Sequence, residues 1–444
     1  MVEGNATAKS VSIAFALGCP RVQVDTAKFF EYFAANGWSI ADRVEEADMV
    51  VVTACGFSAH YEEYSMQLLE AADRRRKPGS KLVVVGCLAG IDKARLDNAF
   101  DAALVAPKDA TRLDEIIDAA VGFKDVDDPL VIEPYVERAS SCFSYEERRG
   151  RETAARASVH RLRRASGIKS VHRRGDADAS GDQSRVAKSV CSIRVAQGCM
   201  GTCTYCAIRF AAGPLQSKPL DEVLAEFDSG LSQGCTEFRL IAGDLGCYGQ
   251  DIGTNVAVLL ERMMQRSAAF RLTLQDFDLR WFVMYQASLI ELLSSNHSRV
   301  GSVLVPLQSG SERILALMRR GHTASDAKEA LCALRAASPD MVLDTHVLVG
   351  FPGETRRDFD DTLRFLKAVR FDHVTGYDYE DRPGTEASQM PDKVPHRVVK
   401  SRGFRLRRET ESLWAGIDYY FHDWGLSPKS SRSRLRPSEK CGED

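Results

Sequence analysis

From Val11 to about Phe123, short apolar runs alternate with longer amphipathic stretches, the pattern of a parallel sheet covered by helices. SIAFALG, MVVVTA and KLVVVG read as strands. Between the first two, Phe29, Phe30, Tyr32 and Phe33 fall at helical spacing, with Asp25 as the expected N-cap and Asn36-Gly37 as the stop.

This pattern predicts a flavodoxin-like, doubly wound α/β domain over residues 10–125. Between Glu146 and Ser189 the rhythm breaks, and basic residues from Arg148 to Arg174 are interleaved with Ser, Ala and Gly. Residues 126–189 therefore read as a basic linker, either a solvated connector or a clamp for RNA or an acidic peptide. Strand-like runs return at SIRVA, FRLIA, FRLTL, VLV before Pro306, MVLDTHVLV and HVTGY, separated by helix-like segments. Six such repeats over residues 190–425 predict a partial (β/α)6 barrel with a lateral opening, since a closed barrel takes eight. The stretch from Ser401 to Trp424 reads as helix, and residues 426–444 as a disordered tail.

A formal net charge of -3 argues against a nucleic-acid footprint over the whole surface, so any polyanion site must be regional. No apolar run is long enough to span a bilayer, and MVEGNATAKS lacks the features of a signal peptide, which predicts a cytoplasmic protein with no membrane partner. In that compartment, twelve cysteines point to metal ligation before a disulfide framework.

Cysteine spacing carries the chemistry. In QGCMGTCTYCAIRF, Cys199, Cys203 and Cys206 follow a strand closely enough to wrap one four-iron, four-sulfur cluster. Three protein ligands leave one iron open, where the amino and carboxylate groups of S-adenosylmethionine (SAM) can chelate. A structural zinc site would ask for a fourth Cys or His nearby. Cys19, Cys55 and Cys87 each follow a predicted strand, and the strand ends of a parallel sheet share one edge, so these thiols can converge on a second cluster. The alternative for them is small buried residues at strand ends. Cys142, Cys191, Cys235, Cys247, Cys332 and Cys441 show no ligand spacing and read as structural or free thiols, with Cys247 close to the predicted barrel mouth.

With both triads, the chain resembles the radical SAM methylthiotransferases, which modify tRNA adenosines or an aspartate of a ribosomal protein. The likeness covers residues 10–410 and also rests on GCPRVQVD, YCAIRFAAG, IAGDLGCYGQD, PLQSGSERILALMRRG, VLVGFPGETRRDF and DRPGTEASQMP. It implies two clusters and two SAM molecules. One SAM methylates a sulfur on the N-terminal cluster, and the other is cleaved to a 5'-deoxyadenosyl radical that removes hydrogen from an unactivated carbon. It further implies an electron donor such as flavodoxin or ferredoxin, and SAM contacts at Gly243, Asp244, Gln308, Ser309, Gly350 and Glu354. Read from local pattern alone, the last six are turn residues or helix caps.

The chain departs from the family at Val22 and Thr53-Ala54, beside the N-terminal cysteines, and at Ala212. Too few residues follow Trp424 for the small TRAM β-barrel of typical members, which leaves a tRNA, a protein or peptide, or a natural product as substrate. Two other readings are a single-cluster radical SAM enzyme catalysing methylation, cyclisation or epimerisation, and a non-catalytic RNA- or peptide-binding relative.

Overall fold

The computed structural model describes residues 9–15, 19–142, 190–410 and 413–414. Its first sheet comprises β1 (Ser10–Phe15), β2 (Ser39–Ile40), β3 (Met49–Thr53), β4 (Lys81–Val85) and β5 (Ala103–Val105), all parallel, in the order β2-β1-β3-β4-β5. That is the flavodoxin order. Alternation along the strands feeds two cores. Val11, Ile13 and Phe15 pack under Phe29, Phe30 and Phe33 of helix Pro20–Ala35, whereas Ala14, Val50 and Val52 pack with Met66 and Leu69 of helix Ala59–Arg75.

The first helix starts earlier than the apolar spacing suggests. Cys19 is its N-cap and Pro20 its first residue, a position that suits proline's fixed φ and missing N–H. Asp25, expected as the cap, sits inside the helix and instead pairs with Arg194 at 2.6 Å. Arg194 also meets Asp128 at 3.1 Å, so a buried charge cluster ties this helix to the second sheet. Part of the segment read as linker is folded, because helix Glu133–Ser141 sets Val136 and Ala139 into the core beside β1. The arginines from Arg148 to Arg174 lie outside the described residues, as does the tail 426–444.

The second sheet runs β6 (Val190–Arg194), β9 (Glu237–Ile241), β10 (Arg271–Leu274), β11 (Val300–Leu304), β12 (Val342–Val349), β13 (His373–Asp378) and β14 (Leu413–Trp414), each parallel to the next. A short antiparallel pair, β7 (Ala196–Gln197) and β8 (Gln216–Ser217), follows β6. The six expected strands are present, and β14 adds a seventh inside the stretch read as continuous helix. There the helix is His396–Thr410, and it ends before β14 pairs with β13. Cys191 of β6 and Cys235 ahead of β9 are joined as a buried disulfide. Among the described residues no helix is long and apolar enough to cross a membrane.

Candidate functional site

Cys19, Cys55 and Cys87 stand at the C-terminal ends of β1, β3 and β4, which are adjacent in the sheet. Cys19 caps its helix, Cys55 lies two residues past β3, and Cys87 opens helix Cys87–Ile91. Gly86 permits this convergence. Its φ is +114°, and a Cβ there would fall 2.6 Å from the Ala54 carbonyl oxygen, so only glycine lets the turns after β3 and β4 touch. Burial pushes the Cys55 thiol up, and the neighbouring Cys19 and Cys87 add to the effect. Burial likewise lifts Cys87 to about 12, against the pull of Arg21. The Arg21 guanidinium keeps its proton despite burial because it faces Cys19, Asp276 and Cys87, and it hydrogen-bonds Cys19.

The second triad sits in the loop after β7. Gly198 has φ +76°, with no room for a Cβ against the Pro214 carbonyl, and Cys199 N–H donates to Gly213 O at 3.3 Å. Thr204 anchors the middle of the loop by donating from N to Met318 O and from Oγ1 to Leu317 O, at 3.2 and 2.9 Å. Cys199 Sγ accepts from Gly201 N–H at 3.1 Å, and Cys203 Sγ accepts from Arg320 Nη1 at 3.4 Å. A hydrogen bond from Cys247, with further help from Gly201 N–H, draws the Cys199 thiol down to about 6 in spite of its burial.

The surroundings of the loop triad fit a thiolate-bound cluster. Two buried N–H groups without hydrogen-bond partners, Nε of Arg280 and Nε of Arg320, belong to the arginines beside this loop, and Arg280 Nη2 pairs with Asp244 at 3.5 Å. Such donors match the sulfurs and negative charge of a thiolate-bound cluster. Gly201 leaves the space open, since a Cβ would come within 3.2 Å of Cys199 Sγ and 3.7 Å of Cys203 Sγ.

The segments that carry Cys87 and follow Cys206 pack on each other. Helix Cys87–Ile91 packs on helix Ile208–Ala212, burying Cys87 and Ile91 with Ala207 and Ala211. Gly90 sets the approach, because a Cβ there would be 2.7 Å from the Ala211 Cα. Across this contact, Cys206 is among the charges that raise the Cys87 thiol.

The six residues expected to contact SAM line the turns after β9, β11 and β12, and most are committed to the fold. At Gly243 a Cβ would lie 2.2 Å from Gly198 O, so this glycine lets the turn after β9 press on the cysteine loop. Asp244 Oδ1 accepts from Gly246 and Asp278 N–H at 3.0 and 3.1 Å, and its Oδ2 accepts from Trp281 Nε1 at 2.9 Å. Burial, with Asp278 and Cys199 nearby, lifts its carboxyl to about 8. Gln308 adopts φ +57° and bridges to Val347, while Ser309 Oγ lies 3.2 Å from Thr362 Oγ1. Gly350 N–H donates to Glu354 Oε2 at 3.0 Å, and Glu354 also pairs with Arg402.

Several neighbours of the thiols left little trace in the pattern. Arg21, Asp278 and Arg280 lie at helix starts and Arg320 in the turn after helix Glu312–Met318, where charged residues are ordinary. Cys247 was read as a thiol near the barrel mouth. It is fully buried, within hydrogen-bonding reach of Cys199 and 3.1 Å from Asp244 O, so its single S–H can serve either acceptor.

Residues 193–366 match the Radical SAM superfamily and residues 12–106 match the Uncharacterized protein family UPF0004. The chain is 30% identical to the ribosomal protein uS12 methylthiotransferase RimO of Protochlamydia amoebophila, over 88% of this chain and 74% of that protein. It is 27% identical to the tRNA-2-methylthio-N(6)-dimethylallyladenosine synthase of Nitrosomonas europaea, over 96% and 88%. Among solved structures, the radical S-adenosylmethionine methyltransferase TsrM of Kitasatospora setae, with tryptophan and a SAM analogue bound, shares the fold at a TM-score of 0.54 and 15% identity, covering 86% of this chain and 75% of that one. The chain therefore belongs to the radical SAM methylthiotransferases, enzymes whose cofactors are [4Fe-4S] clusters and SAM.

Proposed function

We propose that this enzyme inserts a methylthio group at an unactivated C–H bond, with one cluster on Cys199, Cys203 and Cys206 and a second on Cys19, Cys55 and Cys87. The observation that carries this reading is the packing of the Cys87–Ile91 helix, which starts at one cysteine of the first triad, on the Ile208–Ala212 helix, which follows the last cysteine of the second. When bound, the clusters supply reductive cleavage of SAM at one site and sulfur for transfer at the other.

The residues prepare these sites differently. Gly201 N–H, Arg320 and Cys247 direct donors at the barrel thiols, which holds negative charge there. Arg21 places one cation beside Cys19 and Cys87 and faces Asp276 on the barrel side. Asp244 and Glu354 act as braces, the first for the turn carrying Asp278 and Trp281 and the second for Gly350 and Arg402. Gly243, Gln308, Ser309 and Gly350 shape the SAM site through their turns. Cys87 is buried among Ile91, Ala207 and Ala211, which shields that side of its triad from water.

The substrate is a tRNA, a protein or peptide, or a natural product, and electrons come from a flavodoxin or ferredoxin. The test is product analysis of the anaerobically reconstituted protein with SAM, dithionite and added sulfide. Formation of both 5'-deoxyadenosine and S-adenosylhomocysteine supports methylthiotransfer. 5'-Deoxyadenosine alone contradicts it and leaves a single-cluster radical reaction.

A further inference from the structure

The segment DRPGTEASQ joins the loops that carry both sets of cysteines, and nothing in the reaction as described above uses it. On the N-terminal side, Arg382 Nη2 donates to Gly56 O at 2.6 Å, directly after Cys55, and also pairs with Glu62. Glu380 Oε2 accepts from Ala59 N–H at 2.8 Å, at the start of the helix that carries Glu62. On the barrel side, Ala387 N–H donates to Thr204 O at 3.0 Å, between Cys203 and Cys206. Glu386 takes two hydrogen bonds of 2.6 Å from Arg319, next to the carbonyls of Leu317 and Met318 that hold Thr204. Between these ends Gly384, at φ +73°, brings the chain against the Phe210 ring just beyond Cys206.

Arg382 and Glu62 are both 7% exposed. An ion pair in such a place adds little net stability over a well-packed apolar pair, because desolvation offsets the attraction. What it does supply is geometry. Both bonds leave one nitrogen, Nη2, so a single charged group holds the Gly56 carbonyl and the Glu62 carboxylate at once.

We propose that Glu380–Gln389 is a strap that sets the distance between the two cysteine triads, with Arg382 as the positioning residue that locks the Cys55 loop to it. This rests on the two-cluster reading given above.

The test uses the full-length, reconstituted protein with Arg382→Lys and Arg382→Gln. Hydrogen exchange across residues 56–62 is followed by mass spectrometry, and the magnetic interaction between the two reduced clusters by electron paramagnetic resonance. Exchange there should speed up about tenfold in Arg382→Gln, the scale of a lost hydrogen bond to a charged group, and by less in Arg382→Lys. Iron content should stay near that of the parent, and the melting temperature should hold better in Arg382→Lys than in Arg382→Gln, which leaves Glu62 buried without its partner, while the inter-cluster interaction weakens and broadens. Should the Gln variant not fold, Arg382→Lys carries the same comparison. Parent-like exchange and a parent-like interaction in a loaded variant would overturn the strap. If the parent itself holds one cluster, the two-cluster reading fails, and the exchange data still decide whether Arg382 locks the loop.

Discussion

The two cysteine triads reach similar positions by opposite routes. Cys199, Cys203 and Cys206 come from one loop, held by its own glycines and by Thr204 on the Leu317 and Met318 carbonyls. Cys19, Cys55 and Cys87 come from three strand ends and converge only once β1, β3 and β4 have paired. Their surroundings differ too. The loop triad is met by Gly201 N–H, Arg320 and Cys247, whereas Arg21 is the cation facing the strand-end triad. A local loop can pre-arrange its donors at small entropic cost, while a site made of distant segments depends on the whole sheet.

The largest effect should come from removing the loop triad. With Cys199, Cys203 and Cys206 all changed to Ala, 5'-deoxyadenosine formation from SAM under dithionite should fall to background. With Cys19, Cys55 and Cys87 changed instead, 5'-deoxyadenosine should persist and S-adenosylhomocysteine should disappear. Loss of both products in the second variant would show that the triads are not separable.

Next comes Arg320→Met. It strips a donor from Cys203 and leaves Asp278, 2.8 Å from Arg320, buried without its partner. The variant should lose ~3–5 kcal/mol in denaturant unfolding. Gly243→Ala should cost ~1–3 kcal/mol, because its Cβ collides with Gly198 O and the cysteine loop has to shift. A parent-like melting curve for either variant would mean that this loop is less fixed than its contacts indicate.

A pH dependence follows at Glu354, whose carboxyl is lifted from 4.5 to about 7 by burial, against the pull of Arg402. A raised folded pKa favours the folded state at low pH, so this contribution is fully present below about pH 4.5 and lost as pH rises through about 7. Melting temperatures of the parent and Glu354→Gln, compared between pH 4 and 8, should show the parent declining relative to the variant across that window.

Legibility in the sequence followed the same division. The loop triad was readable from spacing, because its geometry is local. The strand-end triad needed a topological step, and it was readable because MVVVT and KLVVV are apolar on both faces, the mark of buried parallel strands. The short β2 and β5 carried too few residues to register, and β14 was absorbed into an expected helix. Asp25 was a plausible cap by residue type, but the cap is Cys19, six residues earlier, with Pro20 opening the helix. The partners of the thiols were not legible. Arg21, Arg320 and Cys247 reach them through side chains from separate turns, and no periodicity reports on such contacts. Asp244 and Glu354 were placed in the right turns, yet whether a carboxylate faces a ligand or its own scaffold is settled by the donors packed around it.

Whether each triad holds its own cluster is decided by the iron and sulfide content of the anaerobically reconstituted parent, beside the variant lacking Cys199, Cys203 and Cys206. Two clusters give about eight irons per chain in the parent and about four in the variant. About four in the parent and none in the variant would contradict the two-cluster reading, leaving Cys19, Cys55 and Cys87 as buried thiols of a scaffold.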